Sequence, residues 1–130
     1  MVEDRITDGR RIAELLSSEL DGREDGGLAA VAVTNADRDV EPTADGARAY
    51  DVTRGDDRLA RVLVHDDRAH LEFETAQDIA AETASDADLR VRPKATTPPR
   101  TLVFVESGAD VKRATDVIQA VSRRLEDEDT

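Results

Sequence analysis

Cysteine and tryptophan are missing from this chain of 130 residues, which holds only three aromatic side chains (Tyr50, Phe73, Phe104) and two lysines (Lys94, Lys112). Without thiols there can be no disulfide, thiolate metal site or cysteine nucleophile. Three rings, all at apolar-face or buried positions of the expected pattern, are too few for the stacking platform that holds single-stranded nucleic acid. No apolar run approaches the roughly 18 residues that mark a membrane span. The opening MVEDRITDGRR lacks the apolar core of a signal peptide, so a soluble cytoplasmic protein with no membrane partner is expected. Phosphate cradles of the GxxxxGKS/T or GxGxxG type and a GxSxG nucleophile elbow are also missing.

Acid is what the chain has in quantity. Thirty Asp plus Glu face sixteen Arg and the two Lys, Asp outnumbers Glu, and the formal net charge is −12. Such a surface repels itself in dilute buffer. At 1 M salt the Debye length is only about 3 Å, and distant repulsion nearly vanishes. Abundant Asp with scarce Lys resembles the small acidic proteins of unknown function found in haloarchaea, which keep a salt-rich cytoplasm. The likeness covers composition and overall pattern; it carries no motif and implies no activity. It bears on partners, because phosphate contacts weaken with a log–log salt slope of about −0.9 per contact. Four such contacts lose roughly 10³–10⁴ in affinity per tenfold rise in salt, which argues against nucleic acid.

The apolar residues are periodic, which argues for a folded body rather than a disordered acidic chain. TDGRRIAELLSSELD (7–21) predicts a helix with Thr7 as N-cap and Ile12, Leu15, Leu16 and Leu20 on one stripe. LAAVAVT (28–34) reads as a buried strand, and NADRDVEPTADG as a long exposed loop, a candidate for disorder. ARAYDVTR, RLARVLVH and HLEFET then predict an antiparallel meander over residues 47–75. A three-residue loop at Gly55–Asp57 sets Tyr50 and Val52 opposite Val62 and Ala60; a four-residue loop at Asp66–Ala69 sets Val64 and Val62 opposite Leu71 and Phe73. The same register sets Arg61 opposite Glu74 and His65 opposite His70 on a solvated face. Thr75 is expected to cap a short helix, AQDIAAETA; strands follow at DLRVR (88–92) and TLVFV (101–105), then a helix from Gly108–Asp110 to about Glu126. The order α-β-β-β-β-α-β-β-α indicates an α+β fold, a mostly antiparallel sheet with helices on one face. Dimeric secretion-chaperone-like folds are similar in order, a likeness of architecture alone. Residues 1–126 are expected as one domain and 127–130 as a disordered acidic tail.

Three constellations are candidates for function. VRPKATTPPRTLVFV lies in a stretch with no acid, and Arg90, Arg92, Lys94 and Arg100 gather there, with 93–99 expected as a proline-stiffened loop. Arginine forks keep short-range bidentate geometry where long-range fields are screened, so these residues are read as a docking surface for an anionic protein. The alternative is that they pair with acids of their own domain. Val111, Ile118 and Leu125 on the last helix are candidates for a homodimer interface, against internal packing on the sheet. His65, Asp67 and His70 could converge on a divalent metal, which would make the chain a metal-dependent enzyme or small-molecule binder; no other cofactor is expected. The leading expectation is a non-enzymatic interaction module, with a nucleic-acid regulator as a further alternative.

Overall fold

The computed structural model describes residues 7–22, 26–96 and 98–128. Helix α1 spans Gly9–Gly22 and buries Ile12, Ala13, Leu16 and Leu20, spaced to form one stripe. Its cap is Asp8 rather than Thr7: the Asp8 carboxylate accepts from the Arg11 backbone N–H at 3.0 Å. A short 3-10 turn, Gly26–Ala30, takes up the first part of the expected strand and leads into β1, Val31–Thr34.

The meander is β2 (Ala47–Arg54), β3 (Asp57–Val64) and β4 (Ala69–Phe73). Tyr50 pairs with Val62 and Val52 with Ala60, as the alternation requires. The turn is tighter than expected, since Arg54 already pairs with Asp57 across Gly55, whose φ of +61° suits glycine. A register shift beyond Val52, where Leu59 stands extra in β3, restores the pairing. Between β3 and β4 the register slips by two residues from expectation: Val64 meets Ala69, Val62 meets Leu71 and Ala60 meets Phe73. The turn is His65–Arg68, closed by the His65 N–H on the Arg68 carbonyl at 2.8 Å, and not Asp66–Ala69. An even slip keeps every side chain on its face, so the dry side survives the error. Arg61 accordingly stands opposite Glu72 instead of Glu74, and His70 opposite Leu63 instead of His65.

Helix α2, Gln77–Asp86, starts without a side-chain cap; Ala76 before it is left-handed (φ +48°), so Thr75 does not cap it. Strand β5, Val91–Lys94, and β6, Arg100–Val105, complete an antiparallel sheet of order β1-β2-β3-β4-β6-β5. Pro93 therefore lies within a strand, not a loop, and an edge strand tolerates it because its outward side needs no donor. A 3-10 turn at Gly108–Asp110 opens α3, Val111–Glu128, which continues through 127 and 128; 129 and 130 lie outside the described residues.

The fold is α+β, with three helices and six strands among the described residues. Ile12, Leu16, Val62, Leu71, Phe73, Val103 and Ile118 meet in one core between the helices and the dry face. Residues 35–46 are held against the sheet rather than loose. The Asp37 N–H reaches the Ala49 carbonyl at 2.7 Å, and Val40 is buried. The loop rounds the end of the sheet where α1 begins and lays Ala44 and Gly46 over the two histidines.

Candidate functional site

Opposite the core face, the strands form a second sheet face on which none of the described helices packs: Arg48 and Asp51 on β2, Arg61 and Leu63 on β3, His70 and Glu72 on β4, Leu102 and Phe104 on β6, Arg92 and Lys94 on β5. Glu72 is its hub. Its side chain is 4% exposed, and it accepts from Lys94 Nζ at 2.9 Å and Arg100 Nη1 at 3.0 Å. Burial pushes the Glu72 carboxyl up, but the hydrogen bond and charge of Lys94, with the hydrogen bond from Arg100, outweigh it and hold the group below its ordinary 4.5. Glu74 is the second anchor. Arg58 Nη2 donates to both of its oxygens at 3.1 Å, with Arg61 Nε at 3.4 Å and Arg100 Nη2 at 3.7 Å.

Four cations thus share two carboxylates, and exposed Arg92 beside them has no ion pair among the described residues. Hydrogen bonding is incomplete on both sides here: the Nε–H groups of Arg58, Arg61 and Arg100 make no hydrogen bond, though Arg61 Nε keeps its ion-pair contact with Glu74, and Asp51 Oδ1 is likewise without a donor. Arg90 is used locally, lying 4.4 Å over the Phe104 ring and pairing with Glu106 at 3.1 Å.

The histidines come together, but without Asp67. His65 Nδ1 lies 3.0 Å from the Ala44 carbonyl, which can only accept, so that nitrogen carries the proton. In the neutral ring His65 Nε2 is then a lone pair, and His70 Nδ1 donates to it at 2.7 Å. The remaining nitrogen, His70 Nε2, is buried without a hydrogen bond, 3.5 Å from Glu72 Oε1. Burial, then the neighbouring His65, push the His70 pKa down to about 4 against the pull of Glu72. Contrary to expectation both rings are buried, because the loop at Ala44–Gly46 covers them. Asp67 does not join them; it is 72% exposed and pairs with Arg68 at 2.9 Å. No group of three metal-ligating side chains occurs among the described residues. Lys94 and Arg100 on Glu72 would also repel a divalent cation.

Of the other sequence-derived candidates, Val111 and Ile118 are buried in the chain's own core, and Leu125 is half-buried against it. The helix stripe is spent internally and leaves no apolar seam of those three. The hub residues Glu72 and Glu74, with Arg58 and Arg61, were legible only as a charged exterior. Their tie to Lys94 and Arg100 crosses from β4 to the last two strands, which no local pattern reveals.

A family model described as a family of unknown function (DUF7993) matches residues 1–130, and the chain belongs to that family. No curated protein and no solved structure matches the chain.

Proposed function

We propose that this member of the family of unknown function DUF7993 is a non-enzymatic interaction module of a salt-rich cytoplasm, docking through the exposed cations of its basic sheet face onto the carboxylates of an acidic partner protein. One observation carries this: in a chain of net charge −12, that face holds more cations than carboxylates to pair them, with Arg92 unpaired among the described residues. The cations sit on strands and are braced by Glu72 and Glu74, so little side-chain freedom is lost when a partner carboxylate arrives. Contact pairs of this kind act at short range, where salt screens least. Nucleic acid fits less well. The ring on this face, Phe104, is covered by Arg90 and offers no base a surface, and a long polyanion would meet the acidic remainder of the molecule. Self-association through Val111 and Ile118 is not part of this reading, because both are buried internally.

The test is binding of poly-L-glutamate by wild type and by Arg92→Glu plus Lys94→Glu, with duplex DNA as the second probe. The reading expects saturable glutamate-polymer binding that falls at least about tenfold in the double variant, equivalent to about 1.4 kcal/mol. Equal binding by both proteins, or tighter binding of DNA than of the polypeptide, would overturn it.

A further inference from the structure

The two edges of the sheet are unlike. Strand β5 is guarded by Arg92, Pro93 and Lys94, the residue types that discourage another strand from pairing there. Strand β1, VAVT, has no charge, no proline and no register shift against β2, in a chain of which 37% is charged. It is the terminal strand of the sheet, and no described strand pairs with its outward backbone N–H and C=O groups, which form a template for one more.

A groove of about 620 Å³ lies between α1 and the chain that leaves this edge, within the usual range for ligand sites. Its floor is small and apolar, with Ala13, Val33, Val40 and Ala49, and the buried Tyr50 hydroxyl is already spent on the Ala13 carbonyl at 2.8 Å. Side chains of an added strand alternate between faces, so every second one would fall on the helix side, beside Val31 and Val33. At one end stand Arg10 and Arg38, tied by Arg10 Nη2 on the Arg38 carbonyl at 3.3 Å; neither makes an ion pair among the described residues. Of the acids that line the groove, Glu14 is held by Arg11 at 3.2 Å and Asp37 accepts from the Asp39 N–H at 3.0 Å, while Asp21 stands about three helical turns along α1 from Arg10, at the other end. Midway, the half-buried Ser17 hydroxyl has no partner among the described residues.

We infer that β1 and this groove form a second docking site, which takes an extended peptide of a partner protein by strand addition. The peptide presents small apolar side chains at alternate positions and a carboxylate to Arg10 and Arg38. Main-chain bonds along β1 supply affinity and the groove supplies selectivity, the division of labour general to strand addition. Four residues of β1 at about 3.3 Å each match a bound segment of four or five residues. The site is separate from the basic sheet face and does not depend on the reading of that face.

The test is selection from a library of random heptapeptides with free C-terminal carboxylates, followed by fluorescence anisotropy on the recovered peptides. Recovered sequences should alternate small apolar residues and carry a carboxylate near one end. Arg10→Ala plus Arg38→Ala, both exposed positions, should weaken them at least tenfold, as should Ser17→Trp, which fills the groove and whose folding is checked by circular dichroism. Arg92→Glu plus Lys94→Glu should bind them unchanged, which separates this site from the sheet face. No enrichment, or equal binding by the groove variants, overturns the proposal. So does a wild-type dimer in sedimentation that Ser17→Trp converts to monomer, since a second copy would then be the occupant.

Discussion

At the scale of single residues the molecule is most exposed at Glu72. Replacing it by Ala leaves Lys94 and Arg100 crowded without their shared carboxylate. Lys94 is 43% exposed and can turn to water, so the loss is smaller than for a fully buried pair; about 1–3 kcal/mol is expected in urea unfolding at pH 7. His70 gives the pH response its sign. Its folded-state pKa, about 4, lies below the 6.5 of an unfolded histidine, so between these values the unfolded chain binds a proton that the folded one refuses. Stability should fall as pH drops through that window, by at most about 1.4 kcal/mol per pH unit from this group, and His70→Leu should flatten the fall. Glu72 acts in the next window down: held below 4.5 in the fold, its contribution is present above that pH and is lost below it. Urea midpoints between pH 7.5 and 3 measure both.

At the scale of elements, α1 is fixed by how closely it can approach a turn. The Gly9 N–H bonds the Asp66 carbonyl at 3.2 Å, and a Cβ at position 9 would collide with the backbone carbonyl of His65. Gly9→Ala is therefore expected to cost about 2–4 kcal/mol and to lift the start of α1, seen as faster amide exchange in residues 9–13. Ile118→Ala, in the middle of α3, should cost about 2–5 kcal/mol by opening a cavity. Element identity was legible because it rests on periodicity: the stripe Ile12, Leu16, Leu20 and the alternation Ala60, Val62, Val64 fix helix and strand without tertiary information. Register at the β3–β4 turn was not legible, because HDDR and DDRA are equally good turns and an even slip preserves the dry face. Thr75 failed as a cap for a related reason: its local suitability as a capping residue was overridden by the left-handed Ala76. The candidate site was half legible. Lys94 and Arg100 were marked by a stretch free of acid, whereas Glu72 needs the sheet order that brings β4 beside β6.

At the scale of the whole molecule, the surplus of acid lies away from a sheet face where cations predominate. Repulsion among those acids destabilises the compact state in dilute solution and is screened as salt rises. The melting temperature should therefore climb with KCl up to molar concentration, and a flat or falling profile by calorimetry would count against adaptation to a salt-rich interior. The pairs on Glu72 and Glu74 should respond least, since buried or close pairs are screened least. The Arg92→Glu plus Lys94→Glu variant should follow the wild-type salt curve within about 1 kcal/mol, because exposed ion pairs contribute little to stability.

The seat of Gly9 on the β3–β4 turn also sets an order of events during synthesis. Helix α1 leaves the ribosome before the turn it rests on: the Asp66 carbonyl that accepts its Gly9 N–H, and the His65 carbonyl it lies against, emerge only after the first two meander strands. At about 5–20 residues per second, the nascent amphipathic segment waits several seconds with Ile12, Leu16 and Leu20 uncovered. A folding catalyst or holdase that meets this chain should meet it there, on the apolar stripe of α1, before the hairpin arrives to claim it.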